Sequence, residues 1–156
     1  MIKTPKESYT EQVHILTQND INGRGRLFGG RLMEWIDMVA GVVARRHSNC
    51  DITTALVDTL DFKAPALAND LVVLLGKIVY AGTSSMVISV KSCVEHLDGS
   101  RKLINSAYVT LVALDENDMP CRVPRLELQT EDEKREYRQV KARVEERKRL
   151  REQNKE

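Results

Sequence analysis

At 156 residues the chain fits one domain and can bury roughly two-thirds of its unfolded surface without disulfide or metal staples. Hydrophobic residues make up 42% and charged residues 30%, but aromatics only 4%, so aliphatic side chains must fill the interior. A net charge of +1 excludes wholesale attraction to nucleic acid or an anionic membrane, and no run approaches the ~18 apolar residues of a membrane span. Residues 1–12 are polar and lack the apolar core of a secretory signal. The cysteines, Cys50, Cys93 and Cys121, are odd in number and lack CxxC spacing, which suits idle or buried thiols in a reducing compartment. A soluble, cytoplasmic protein is expected.

In chain order, residues 10–17 predict a short strand with Val13 and Ile15 on one face, and residues 18–25 a loop broken by Asn, Asp and Gly. From 30 to 46, Leu32, Met33, Ile36, Val39, Ala40 and Val43 recur at helical spacing, with Trp35, Met38 and Val42 on other faces. A helix apolar nearly all round is expected to be buried. After a polar connection, residues 52–62, 71–80, 85–97 and 101–114 read as strands. In the third of these Ile88, Val90 and Val94 alternate with Ser89, Lys91 and Glu95, which predicts one covered face and one left to solvent or a partner.

Turn signals at Gly82-Thr83, Asp98-Gly99 and residues 115–118 make these strands antiparallel neighbours, a meander. One buried helix followed by a meander is α+β, and its unpaired edge strand and open face favour dimerisation. Residues 1–126 form this domain. Residues 127–156 form a charged helical tail whose stripe of Tyr137, Val140, Val144 and Leu150 is thin. The tail is expected to be a solvated helix that frays, dispensable for chemistry.

Asp37 stands two turns inside the apolar helix, beside Met33, Ile36, Met38, Ala40 and Gly41. A carboxylate buried there is costly unless it has a partner or chemistry to perform, as general bases do. The alternative is an exposed stripe that Asp37 shares with Glu34, whose place near the helix start the dipole already favours. Asn22-Gly23-Arg24-Gly25 and Gly29-Gly30 lead into the helix without GxGxxG or phosphate-loop spacing. The Gly pair either shapes a turn or brings free helix N–H groups against a carbonyl oxygen. None of His14, His47 and His96 sits in a nucleophile motif or at metal-ligand spacing, and His47 reads as a helix C-terminal cap.

The run from Asn22 through Phe28-Gly29-Gly30 to Asp37 resembles the hot-dog acyl-CoA thioesterases, in the branch of short bacterial and animal cytosolic acyl-CoA hydrolases. Asp61-Phe62-Lys63-Ala64-Pro65, Gly82-Thr83-Ser84-Ser85 and Arg122-Val123-Pro124 extend the likeness over residues 8–126. It implies an antiparallel sheet wrapped round one long helix, homodimers joined edge to edge, possible trimers of dimers, and active sites at the dimer interface. It further implies that Asp37 is the catalytic carboxylate and that the backbone of Gly29 and Gly30 polarises the thioester carbonyl. Asn22 would reach the site from the partner subunit. Gly82, Thr83, Ser84, Ser85 and Arg122 would line the CoA side. No metal or redox cofactor is implied, since CoA enters as part of the substrate. Two other functions fit the same fold: a non-catalytic acyl-CoA sensor, which would lack the base, and a dehydratase, which would want a His near the helix start.

Overall fold

A computed structural model describes residues 1–155. Strands β1 (Ile2–Lys3) and β2 (Thr10–Ile15) precede helix α1 (Gly29–Ser48), which is followed by β3 (Asp51–Phe62), β4 (Leu71–Ala81), β5 (Ser85–Glu95) and β6 (Arg101–Leu114). Strand β7 (Arg125–Leu126) pairs in parallel with β1, and α2 (Glu131–Gln153) closes the chain.

Five strands form one antiparallel sheet in the order β2-β4-β5-β6-β3. The β4-β5-β6 meander is as predicted, but β3 is not a neighbour of β4. It pairs with β6 at the far edge, so residues 63–70 cross the whole sheet to start β4 beside β2. Residues 115–118 likewise join no two sheet strands; the chain turns back so that Pro120 bridges Leu114 at the end of β6.

The sheet wraps α1 because helix and strand patterns present matching apolar faces. Leu32, Ile36, Val39, Ala40 and Val43 pack against Leu74, Ile78, Ile88, Val90, Val109 and Leu111, all essentially inaccessible. Gly76 permits the approach: a Cβ there would stand 2.5 Å from Val39 Cγ1. The helix ends at Asn49, whose left-handed backbone (φ 57°) returns its N–H to the Arg45 carbonyl at 2.8 Å. The expectation of all-round burial fails on one stripe, where Met33, Glu34, Asp37 and Met38 are exposed in the single chain. Strands meet that stripe through Thr54 of β3, against Asp37, and Gln12 of β2, against Met38. His47 does not cap the helix end; it is fully buried and its Nε2 meets the Pro124 carbonyl at 2.8 Å.

The tail also departs from expectation. Its thin stripe suffices: Val140 and Val144 are buried against Val79, Tyr80 and Val87 on the outer face of β4 and β5, with Tyr108 and Tyr137 alongside. Burial of a valine contributes roughly 1.5–3 kcal/mol. Polar ties flank the stripe: Tyr108 donates to Glu136 at 2.7 Å, Lys77 pairs with Glu133 at 2.8 Å and Arg147 with Asp58 at 2.7 Å. Burial and the Glu136 carboxylate together push the Tyr108 hydroxyl up to about 12. Thr130 caps the helix through the Glu133 N–H. Only the far end, from Leu150 onward, is a solvated helix of the expected kind. Among the described residues no helix is long and apolar enough to cross a membrane.

Candidate active site

The entry to α1 is built from aromatic rings and free amides. Phe28 is the residue before the helix and provides no side-chain cap. The N–H groups of Gly29 and Gly30 find no backbone acceptor, as the first turn of any helix requires. A side chain at Gly30 would meet the Phe28 ring at 3.0 Å, and one at Gly29 would touch Phe62 Cζ at 3.7 Å. Both rings are more than half exposed, so two donors sit between apolar walls at the positive end of the helix.

Asp37 lies about 12 Å further along the axis at the helical rise. Its Oδ1 accepts a hydrogen bond from Thr54 Oγ1 at 2.6 Å. Thr54 is on β3, next to the first of two register shifts in that strand; the second contains Thr59 at φ 55°. These irregularities bend the edge strand, and its outer side has no partner. Thr54 was missed by sequence reasoning because a Thr in a strand carries no positional signal.

Asn22 is held in a tight loop. Its backbone N–H donates to the Arg26 carbonyl at 2.8 Å, and its Oδ1 accepts from the N–H groups of Arg24 (2.9 Å) and Arg26 (3.2 Å), leaving Nδ2 to donate outward. Within one chain Asn22 does not meet Asp37. It lines a 360 Å³ cleft with Leu27, Leu32, Phe62, Pro65 and Ile104.

The turn after β4 is the ridge between two clefts. Gly82 donates to the Ser85 carbonyl at 2.8 Å, and the turn is tied to its surroundings through Ala113 N–H to Ser84 O (2.9 Å) and Val123 N–H to Thr83 O (2.8 Å). Gly82, Thr83 and Arg122 face a 630 Å³ cleft shared with Ser48, Asn49 and Arg125. Thr83, Ser84 and Ser85 face a 510 Å³ cleft on the other side, which Arg147, Lys148 and Arg151 of α2 line in cations. The charge density of the tail hid these three, since nothing in its sequence separates them from the other basic residues.

Residues 24–96 match the thioesterase superfamily. A Bacillus subtilis protein, named as an uncharacterized acyl-CoA thioester hydrolase, is 37% identical over 138 residues, covering 85% of this chain and 80% of its own. The chain belongs to the acyl-CoA thioester hydrolases of the thioesterase superfamily. The hydrolase fold is shared in detail: the Staphylococcus aureus acyl-CoA hydrolase, solved with butyryl-CoA, CoA and CoA disulfide, superimposes with a TM-score of 0.91 at 32% identity, covering 98% of this chain and 94% of that one. Mutants of the S. aureus hydrolase with one Asp, Asn or Thr replaced by Ala match with a TM-score of 0.91 each. A structure described as an apo-hexameric acyl-CoA thioesterase matches with a TM-score of 0.90 at 36% identity, covering 96% of each chain. The rat cytosolic acyl coenzyme A thioester hydrolase is 32% identical over 90% of this chain, which spans only 38% of that protein's length.

Proposed function

We propose that this protein hydrolyses acyl-CoA to a free acid and CoA, with Asp37 as general base or nucleophile. The carrying observation is a spacing. The Asn, Asp and Thr substituted in the S. aureus hydrolase are separated by 15 and 17 residues, and Asn22, Asp37 and Thr54 have the same separations here. Thr54 donates to Asp37 Oδ1, leaving Oδ2 for a water or the thioester carbon.

A thioester needs little more than this. The departing thiol has a pKa near 8.5, so the thiolate leaves without a strong general acid, and no metal is needed to activate it. The free N–H groups of Gly29 and Gly30 supply donors for the carbonyl oxygen as it gains charge.

The remaining parts come from a second copy. The exposed stripe of α1 and the unpaired edge of β3, with Leu56, Val57 and Phe62 exposed, are covered when two subunits join β3 to β3. That arrangement lets Asn22 of one subunit reach Asp37 of the other; assembly into trimers of dimers is compatible with it. The CoA moiety extends over the turn at 82–85, with Arg122 on one side and Arg147, Lys148 and Arg151 on the other placed for its phosphates. A cytoplasmic location fits three cysteines that are all free.

Free-thiol release from acyl-CoAs of graded length, measured for the wild type and Asp37→Asn, is the test. Release by the wild type and none by Asp37→Asn, with CoA binding retained, is expected. Binding without release by the wild type favours a sensor, and hydration of enoyl-CoA without release favours a dehydratase.

A further inference from the structure

We propose that Cys50 and Cys121 form a modifiable dithiol site that closes to an intramolecular disulfide by exchange with a low-molecular-weight disulfide. The residues are 71 apart in sequence, yet the Cys121 thiol donates to Cys50 Sγ across 3.1 Å. Backbone bonds set that proximity. Cys121 N–H donates to the Ala113 carbonyl at 3.0 Å, and Cys50 N–H to Ser48 Oγ at 3.2 Å. Leu114, at the end of β6, pairs with Asp51 on one side and bridges Pro120 on the other. Both cysteines are therefore anchored to the same strand end, and little backbone movement separates the dithiol from a bonded pair.

The site is also reachable. Cys50 and Cys121 are only partly buried and line an open 920 Å³ cleft, whose charged lining mixes Arg45 and Arg46 with Asp51, Asp115 and Glu116. Cys93 has neither property: it is buried, and burial pushes its thiol up.

The chemistry assigns an order. The Cys121 thiol, pushed up to about 11 chiefly by its hydrogen bond to Cys50, stays protonated and stabilises negative charge on the Cys50 sulfur. Cys50, as thiolate, attacks one sulfur of the small disulfide; that S–S bond breaks and one small thiolate leaves. Cys121 then loses its proton and attacks the Cys50 sulfur of the mixed disulfide, expelling the second small thiolate. The two cysteine protons end on the two released thiols, the cysteines are oxidised by two electrons and the small disulfide is reduced by two. The new bond ties the start of β3, which carries Thr54, to the segment whose Val123 N–H holds the turn at Thr83.

The full chain, incubated with oxidised and reduced glutathione at stepped ratios and then mapped by mass spectrometry of unreduced peptides, tests this. A Cys50–Cys121 cross-link is expected, with Cys93 still a thiol and the melting temperature raised by roughly 5–15 °C. Cys121→Ser should stop at a glutathione adduct on Cys50, and Cys50→Ser should form no intramolecular disulfide. Both thiols remaining reduced at every ratio, stable adducts on each without a cross-link, or a cross-link that lowers the melting temperature would each overturn the proposal.

Discussion

The two sides of this molecule are finished in different ways. The outer face of the sheet is closed from within the chain, where α2 seats Val140 and Val144 on Val79, Tyr80 and Val87. The side formed by α1 and β3 is left open, with Met33, Met38, Leu56 and Phe62 exposed around the Asp37–Thr54 pair. A face that only has to be stable can be covered by the chain's own tail. A face that must admit a substrate gains from being completed by a second subunit, because closure then builds a cleft and does not fill it.

The largest effects should come from the open side. Asp37→Asn and Asn22→Ala are each expected to reduce kcat by about 100-fold or more, the usual scale for losing a base or a positioning group. Co-expression of the two variants breaks or supports the shared-site geometry. Random pairing makes half of the dimers mixed, each with one unaltered site of two, so about a quarter of wild-type activity should return. Verified mixed dimers with no recovery would overturn only the arrangement in which Asn22 of one subunit completes the Asp37 site of the other.

On the covered side the expected effect is on stability. Ending the chain after residue 128 removes α2 and exposes Val79, Tyr80 and Val87, with the loss of roughly 3–6 kcal/mol from the two valines alone. The shortened chain should melt lower and aggregate. An unchanged melting temperature would mean that the face has no need of its helix.

This contrast also marks what the sequence could disclose. Period and turn chemistry located α1 and the strands, because both are local: Leu32 through Val43 repeat at helical spacing wherever they fold, and Asp98-Gly99 turns the chain whatever lies nearby. The position of β3 beside β6 was not legible, since pairing across more than forty residues leaves no local trace. Asp37 was found as an anomaly, but the sequence left its burial and its place on an exposed stripe with Glu34 both open, because periodicity alone does not say which side of a helix the sheet covers. Val140 and Val144 were visible as a stripe and undervalued, since the charge around them records the outer side of α2 and not the inner one.

Arg147 joins the two sides. It pairs with Asp58 of β3 at 2.7 Å and lines the cleft behind Thr83–Ser85. Arg147→Ala should cost at most about 1 kcal/mol in stability, since both partners are partly exposed. KM for acyl-CoA should rise several-fold with kcat little changed, as for loss of binding common to ground and transition states. A fall in kcat alone would instead tie the residue to the shape of β3 near Thr54.

The smallest effect separates the sides by pH. Burial holds the His47 imidazole below its ordinary value, with Lys3 acting the same way and the Pro124 carbonyl and Glu7 opposing. Its Nδ1 is buried without a partner, so the added proton would have no acceptor. The unfolded chain therefore binds this proton more readily than the folded one. Stability is fully present above the unfolded value near 6.5 and is lost as pH falls through it. His14, stacked on Trp35 with ring centroids 3.8 Å apart, is shifted in the same direction by burial. The carboxylates of Glu7, Asp20 and Glu133 lie below their ordinary values, so their contributions are lost only under more acidic conditions, below about pH 4.5. Urea unfolding at about pH 7.5 and about pH 5.5 should thus show a decline that His47→Gln reduces and Glu133→Gln leaves alone. An equal decline in His47→Gln would move the pH sensitivity away from the junction between α1 and the segment at Pro124.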